Sequence, residues 1–208
     1  MKGGKKPEEA MNIIIIAGMP ASGKTTFVNV LSKELGFPVL EKDAIKEELF
    51  DVIGFRNYEE KRLMDVAATS VLLRCTDSLL AGGQSLIVVN NFRSDVAPRV
   101  EEILQKYHCG CVLVFFGGDG DVFYKRYVER DLHPTRHLGH VLQDRFPPAP
   151  GDPLVYSMTR EEFARKFESL GMNEFQISAA KRIDVDATYP EQIDTEALIQ
   201  KIRQLLQK

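Results

Sequence analysis

One stretch near the start of the chain combines glycines, a lysine and hydroxyl groups at a spacing that suits phosphate binding. Residues 18–25 fit the pattern G-x-x-x-x-G-K-T. Gly18 and Gly23 allow a tight turn in which main-chain N–H groups face phosphate oxygens. Lys24 supplies a compact positive charge for the β- and γ-phosphates, and the Thr25 hydroxyl is a ligand that Mg²⁺ accepts. We expect the whole segment to line these phosphates: Gly18, Met19, Pro20, Ala21, Ser22, Gly23, Lys24, Thr25 and Thr26.

The residues on either side of this motif predict the elements that such a loop requires. Four consecutive isoleucines, residues 13–16, are typical of a parallel strand that is covered on both faces. After the motif, apolar residues recur at helical spacing up to Leu35, and Gly36 ends that helix. The N-terminus of a helix attracts anions through its dipole. This context favours phosphate binding over a glycine-rich turn without a ligand.

A carboxylate follows the second predicted strand, residues 37–40. Ligands of open α/β sheets lie beyond the carboxyl ends of the strands, so Asp43 is expected near the phosphates. Asp43 could act as the general base for an acceptor hydroxyl, or as a partner of the water shell of Mg²⁺. It could also be no more than the N-cap of a helix predicted over residues 44–52. The sequence leaves these roles open.

An arginine-rich region follows the fourth predicted strand. Arg126 and Arg130 lie four residues apart in a helix predicted over residues 122–131, and therefore on one face of it. Together with Arg136 they could close over the transferred phosphoryl group and stabilise charge in the transition state. The alternative is a solvated helix face, whose charges contribute little. We interpret residues 124–150 as an arginine-rich lid over the nucleotide.

Two further pairs of polar residues are candidates with more than one interpretation. Asn90 and Asn91 follow the third predicted strand, where many P-loop NTPases place an aspartate on Mg²⁺. The two amides could hold a metal-bound water, contact a substrate or only form a turn. His137 and His140 have no third ligand nearby in the sequence. We expect them to shape the loop or to meet a substrate rather than to bind a metal.

Composition limits the class of protein. A chain of 208 residues with 44% hydrophobic content suits one domain with a buried core. We predict a flexible tail over residues 1–10 and a single domain over residues 11–208. A net charge of -3 does not favour nucleic acid or a membrane surface as a partner. Three cysteines without a C-x-x-C pair indicate reduced thiols, and no apolar run is long enough to cross a membrane, so we expect a cytoplasmic protein.

Strands and helices alternate along the whole chain. Beyond the elements already named, we predict a long helix over residues 58–81, a helix capped by Asp95, a strand over residues 181–187 and a final helix over residues 195–206. This alternation predicts an α/β fold of the P-loop NTPase type. We expect a parallel sheet of about five strands with the P-loop strand at its centre and helices on both faces.

Two of these segments resemble a known family. Residues 18–26 and residues 37–49 are similar to the small P-loop kinases of the AAA_33 and zeta-toxin-like type. That group includes polynucleotide 5′-hydroxyl kinases and relatives of chloramphenicol phosphotransferase. The resemblance implies transfer of the γ-phosphoryl group of ATP to a hydroxyl. It also implies that Asp43 activates that hydroxyl, and that Arg126 and Arg130 belong to the lid.

We therefore predict an ATP- and Mg²⁺-dependent phosphotransferase that acts on a small molecule with a hydroxyl group. Lys24, Asp43, Arg126 and Arg130 are the predicted catalytic residues, and Arg136 is predicted to contact the nucleotide. A polynucleotide 5′-hydroxyl kinase is less favoured, because those enzymes often carry an arginine soon after the aspartate, where this chain has Lys46. A nucleotide-binding switch without an acceptor is a third hypothesis. The choice of acceptor and of ATP or GTP stays open, as do candidates for the acceptor wall, which are Phe55, Arg56 and Tyr58.

Overall fold

Five parallel strands form the centre of the computed structural model, which describes residues 11–152 and 158–207. The strands are β1 (Asn12–Gly18), β2 (Val39–Glu41), β3 (Leu86–Val89), β4 (Gly110–Gly117) and β5 (Lys181–Asp186). Their order in the sheet is β2-β3-β1-β4-β5, so the predicted fold class and the central position of the P-loop strand are confirmed. The tail predicted over residues 1–10 lies outside the described residues.

Helices follow the strands in alternation, as predicted. They are α1 (Lys24–Leu35), α2 (Lys42–Ile53), α3 (Tyr58–Ala81), α4 (Ala97–Tyr107), α5 (Gly120–Asp131), α6 (Leu138–Val141), α7 (Arg160–Ser169) and α8 (Thr195–Leu206). Short 3₁₀ turns cover Ser94–Val96, Met172–Glu174 and Pro190–Gln192. The predicted bounds of α3 and α8 agree with the structure to the residue.

The central strand is buried on both faces because helices cover the sheet from both sides. Ile14 and Ile16 pack into one hydrophobic cluster with residues of α1 and α8. Ile13 and Ile15 pack into a second cluster with residues of α3 and α4. All four side chains are at most 1% exposed. A strand held in this way gives the loop after Gly18 a fixed starting point.

A third, smaller cluster joins the α2–α3 pair to the residues after α5. Phe50, Phe55 and Met64 form its buried part, with Leu142 and Phe146 packed against them. The main chains of Phe55 and Phe146 exchange two hydrogen bonds, at 2.9 and 2.8 Å. We call residues 137–146 the docked segment. It belongs to the predicted lid and is attached to the side of the molecule that carries Asp43.

Two predicted helix caps are wrong. The helix α2 begins at Lys42, immediately after β2, with Glu41 at the cap position and no side-chain cap bond. Asp43 therefore lies inside the first turn, because the strand runs into the helix without an intervening loop residue. The helix α4 begins at Ala97 after a 3₁₀ turn. Asp95 lies within that turn and pairs with Arg93 instead of capping a helix.

Candidate active site

The loop after β1 lies against the neighbouring strand so closely that only glycine fits at its first position. A Cβ atom on Gly18 would lie 2.1 Å from the carbonyl oxygen of Phe116, and the φ angle of Gly18 is +126°. The N–H of Met19 donates to the same carbonyl oxygen at 3.1 Å. Gly23 precedes α1 with a φ angle of +85°, and Ala21 adopts +59°. The tight turn predicted from the two glycines is present.

Lys24 is buried beneath this loop. Its ammonium group donates to the carbonyl oxygens of Gly18 at 3.1 Å and Met19 at 2.6 Å, and to the hydroxyl of Ser22 at 3.2 Å. Burial lowers the pKa of Lys24 to about 7, although the charge of Asp43 opposes this shift. Among the described residues, the first N–H groups of α1 have no side-chain cap. A bound anion would accept from them and would stabilise the charged form of Lys24.

The Thr25 hydroxyl donates to a carboxylate that the sequence analysis did not single out. The distance from Thr25 Oγ1 to Glu41 Oε1 is 3.1 Å. Burial raises the pKa of Glu41, and the nearby charge of Asp43 acts in the same direction. A divalent cation would relieve both effects. The oxygen donors of Thr25 and Glu41 fit Mg²⁺, which prefers oxygen ligands and keeps several waters. The available signal was the acid-x-acid pair of Glu41 and Asp43 at the end of a strand.

Asp43 is held as a carboxylate by the cations around it. Burial alone would raise the pKa of Asp43, but the neighbouring charges, first that of Lys42, outweigh burial and hold the pKa well below its usual range. The Lys42 ammonium lies 3.5 Å from Asp43 Oδ1. The charge of Asp43 also acts on the pKa of Lys24. The two groups are therefore close enough for their charges to interact, and both line one cavity.

A cavity of about 1060 Å³ brings most of the predicted site residues together. Its walls include residues 20–26 of the loop, together with Asp43, Asn90 and Asn91. The three arginines predicted for the lid also line it: Arg126, Arg130 and Arg136. Gly18 and Met19 do not line the cavity, because Gly18 ends β1 and the Met19 side chain packs into the core. Tyr58 lines the cavity, whereas Phe55 is buried in the third cluster and Arg56 pairs with Glu60 at the surface.

The three arginines of the predicted lid are fixed in different ways. Arg126 donates to the carbonyl oxygens of Ala187 and Thr188, at 2.9 and 2.6 Å. Its guanidinium is thereby tied to the loop after β5. Arg130 and Arg136 share one buried carboxylate, that of Asp131.

The Asp131 side chain is 1% exposed, and its Oδ1 accepts from two arginines. The distances from this oxygen are 3.1 Å to Arg130 Nη2 and 3.2 Å to Arg136 Nε. Among the described residues, its second oxygen has no hydrogen-bond partner. The Arg130 guanidinium also lies 4.9 Å from the centre of the Tyr127 ring. Sequence reasoning missed Asp131, because nothing local distinguishes it from other acidic residues of α5.

The two histidines of the predicted lid contact carboxylates of α2. His137 Nε2 lies 3.0 Å from Asp51 Oδ1, and His140 Nε2 lies 2.8 Å from Glu47 Oε1. Lys61 of α3 donates to the carbonyl oxygen of His140 at 2.8 Å and to that of Leu142. These bonds attach the docked segment to both helices. Within the described ranges, no group of three or more His, Cys, Asp or Glu side chains is placed to hold a metal ion.

The sheet order, the loop after the central strand and the lysine beneath it define a fold of the P-loop kinase class. Residues 13–148 match the model of the AAA_33 family, described as an AAA domain. This match spans more than half of the chain, and the chain therefore belongs to the AAA_33 family.

Curated relatives share part of the chain. A UPF0200 protein of Saccharolobus islandicus is 29% identical over 125 residues, which cover 58% of this chain and 65% of that protein. The chain thus matches just under two thirds of the length of that relative. A protein of Sulfurisphaera tokodaii named "Putative adenylate kinase" is 40% identical over 68 residues, which cover 33% of this chain and 35% of that protein.

Solved structures extend the likeness to almost the whole chain. The crystal structure of a "putative kinase" from Chloroflexus aurantiacus is 31% identical, with a TM-score of 0.76, and covers 95% of this chain and 99% of that one. A shikimate kinase from Bacteroides thetaiotaomicron has a TM-score of 0.54 at 16% identity and covers 96% and 100% of the two chains. At that identity the second likeness supports the fold alone. None of the helices in the described ranges has the length and apolar composition that a bilayer crossing requires.

Proposed function

We propose that the protein is an ATP- and Mg²⁺-dependent kinase that transfers the γ-phosphoryl group to a hydroxyl of a small molecule. The observation that carries this proposal is that Asp43 and Lys24 line one cavity, close enough for the charge of Asp43 to act on the pKa of Lys24. Membership of the AAA_33 family and the likeness to a crystal structure named a putative kinase support nucleotide-dependent phosphoryl transfer.

The loop and the residues beside it are suited to hold the nucleotide. The N–H groups at the start of α1 and the ammonium of Lys24 would bind the phosphate oxygens. Thr25 and Glu41 would hold Mg²⁺, with Glu41 acting through a metal-bound water. The ion, when bound, neutralises charge that develops on the phosphates during transfer.

Asp43 favours a hydroxyl acceptor over a phosphate acceptor. A phosphate oxygen is already a nucleophile and needs no base, and a fixed carboxylate beside it would repel it. A hydroxyl gains from a carboxylate that accepts its hydrogen bond and later its proton. This separates the proposal from the activity named for the Sulfurisphaera tokodaii relative, whose match covers 33% of this chain.

In the transfer step, the carboxylate orients the acceptor hydroxyl more than it acts as a strong base. As the bond from the acceptor oxygen to phosphorus forms and the bond to the leaving ADP oxygen breaks, the hydroxyl proton passes to Asp43. The pKa of Asp43 lies well below its usual range, so the carboxylate is ionised and ready to accept a hydrogen bond, but is a weak base. A loose transition state requires little proton transfer before the acceptor oxygen has become acidic. Arg130 and Arg136 line the same cavity, which supports a role for their charges in stabilising the transferring group.

The test is a screen for phosphoryl transfer from labelled ATP to sugars, nucleosides, aminoglycosides and a 5′-hydroxyl oligonucleotide. We expect a small hydroxyl compound to be labelled, and Asp43→Asn to lower kcat by roughly 10²-fold or more while the affinity for ATP changes little. Lys24→Ala should weaken nucleotide binding. The matched control is Glu48→Gln, since Glu48 lies exposed on the same helix and does not line the cavity.

Three results would contradict this assignment. An unchanged rate of phosphoryl transfer in Asp43→Asn would show that the Asp43 carboxylate is not needed for the reaction. Labelling of the oligonucleotide alone would identify a polynucleotide kinase. Nucleotide binding without transfer to any acceptor would favour a nucleotide-dependent switch.

A further inference from the structure

The cavity carries a large excess of positive charge. Among the described residues that line it, lysines and arginines number ten, whereas aspartates and glutamates number four. A triphosphate would neutralise part of this excess, but Mg²⁺ cancels much of the charge of the triphosphate. Asp95 and Asp131, which do not line the cavity, pair with three of these arginines. Much of the remaining excess is therefore carried by lysines, and it suits a second anion beside the nucleotide.

Part of this excess comes from residues of α2, α3 and α7 that line the cavity. Lys42 and Lys46 lie one turn apart on α2, and both donate to the same oxygen of Asp65 on α3, at 2.8 and 2.7 Å. Lys166 reaches the cavity from α7. Within the described ranges, Lys166 forms no ion pair, and its ammonium lies 5.9 Å from the centre of the Phe167 ring. The Asp65 carboxylate thus pairs with two ammonium groups, those of Lys42 and Lys46, and Lys42 also contacts Asp43.

The lysines in this region lower one another's pKa. Burial lowers the pKa of Lys166, and the charge of Lys46 lowers it further. Burial lowers the pKa of Lys61 to about 7, with the charges of Lys46 and Lys166 as the next causes. The groups are therefore close enough to repel one another, and an anion between them would relieve the repulsion.

We propose that the acceptor carries a fixed anionic group, a carboxylate or a phosphate monoester, which Lys46 and Lys166 bind while the hydroxyl meets Asp43. This inference rests on the proposed kinase function and narrows its substrate class. The anionic group takes no part in the transfer and serves to orient the hydroxyl towards the γ-phosphoryl group. Lys166 is the more informative residue, because Lys46 is already paired with Asp65.

The test measures anion binding to the complex with Mg²⁺ and the non-hydrolysable nucleotide AMPPNP, which occupies the phosphate-binding loop. Thermal unfolding is followed at constant ionic strength, with chloride replaced by inorganic phosphate or by malonate, and with the pairs glycerol and glycerol 3-phosphate, and glucose and gluconate. We expect the anionic member of at least one pair to stabilise the complex more than its neutral partner. Preference for the phosphate or the carboxylate member identifies the anion.

The variants separate this subsite from general electrostatic effects. Lys166→Met should weaken the apparent anion affinity about tenfold or more, since a hydrogen bond to a charged group is lost, and Lys166→Arg should retain most of it. Arg165→Met is the matched control, because Arg165 is the exposed neighbour outside the cavity. Nucleotide affinity should be unchanged in all three variants.

Each contrary outcome has a distinct meaning. No stabilisation by any small anion beyond chloride, or equal affinities in wild type and Lys166→Met, would overturn the subsite and leave the proposed kinase function standing. Stabilisation by a 5′-hydroxyl oligonucleotide alone would overturn it in favour of a nucleic-acid acceptor. If the protein does not bind Mg²⁺–AMPPNP, both the proposed kinase function and this inference are overturned.

Discussion

At the scale of single residues, the site consists of charged groups that hold one another in place. Lys24 is bonded to the main chain of its own loop, Asp43 is kept ionised by Lys42, and Arg130 and Arg136 converge on Asp131. Preorganised charges of this kind lower a reaction barrier because they need not reorient during the reaction. Asp131 is the residue on which both arginines depend, and we interpret it as a positioning residue.

Replacing this shared carboxylate should separate arginine placement from nucleotide binding. We expect Asp131→Asn to lower kcat by about tenfold to a hundredfold, because a small displacement of catalytic charges is costly. The KM for ATP should change less. Steady-state kinetics measure both, and thermal unfolding shows whether the variant is folded. Asp121→Asn is the control, since Asp121 lies on the same helix and pairs with Arg160 at the surface. An unchanged kcat in Asp131→Asn would contradict the positioning role.

At the scale of elements, two packing contacts decide where cavity residues point. Phe92 has a φ angle of +42°, an unfavourable value for a bulky residue, and its ring stacks on Phe175 at 4.7 Å. This buried contact holds the turn after β3, so that Asn91 and Arg93 reach the cavity. On the other side, α6 lies against the fully buried ring of Phe50.

The contact between α6 and α2 leaves no room for a side chain at Gly139. A Cβ atom there would lie 2.3 Å from Phe50 Cδ2. We expect Gly139→Ala to lower the free energy of unfolding by about 1–3 kcal/mol, as overpacking does, and to lower kcat by displacing Arg136 and His140. Urea unfolding measures the first effect. Gly120→Ala is the control, because no heavy atom lies within 4 Å of its added Cβ. Equal free energies of unfolding for Gly139→Ala and Gly120→Ala would contradict this prediction, because the docked segment would then accommodate the added methyl group without losing stability.

At the scale of the whole molecule, a weakly acidic protein encloses a basic cavity. The net charge of the chain is -3, yet most charged residues that line the cavity are cations. The average over the whole chain conceals this local clustering. The free protein must keep buried ammonium groups without a ligand. It does so at an electrostatic cost, which appears as the lowered pKa of Lys24 and Lys61.

This cost predicts how stability depends on pH. The pKa of Lys24 is about 7 in the folded protein, against a usual value of 10.5. Between these values the unfolded chain binds more protons than the folded one, so Lys24 makes the free energy of unfolding rise as the pH increases above about 7. Urea unfolding of the free protein at about pH 7 and pH 8 should show a steeper rise in wild type than in Lys24→Met. In wild type, bound Mg²⁺–AMPPNP should reduce this rise by raising the pKa of Lys24. Equal slopes of wild type and Lys24→Met without nucleotide would contradict the prediction.

The sequence by itself determined the phosphate-binding loop, the central strand and the alternation of strands and helices. These features depend on residues close together in the chain, whose spacing sets the turn, the strand and the helix start directly. The isoleucines of β1, the glycines of the loop and Lys24 are all of this kind. The same local logic failed for Asp43 as a helix cap, because the join between β2 and α2 has no loop.

Only the tertiary structure decided which polar groups share the cavity. The bond from Thr25 to Glu41, the bond from Arg136 to Asp131 and the position of Lys46 and Lys166 on one cavity bring together residues from different parts of the chain. Such contacts depend on how helices pack on the sheet, and many sequence separations can produce the same contact. Charge and burial at these positions follow from the packing. The phosphate-binding loop could therefore be predicted from the sequence, whereas the grouping of charged side chains around the rest of the cavity could not.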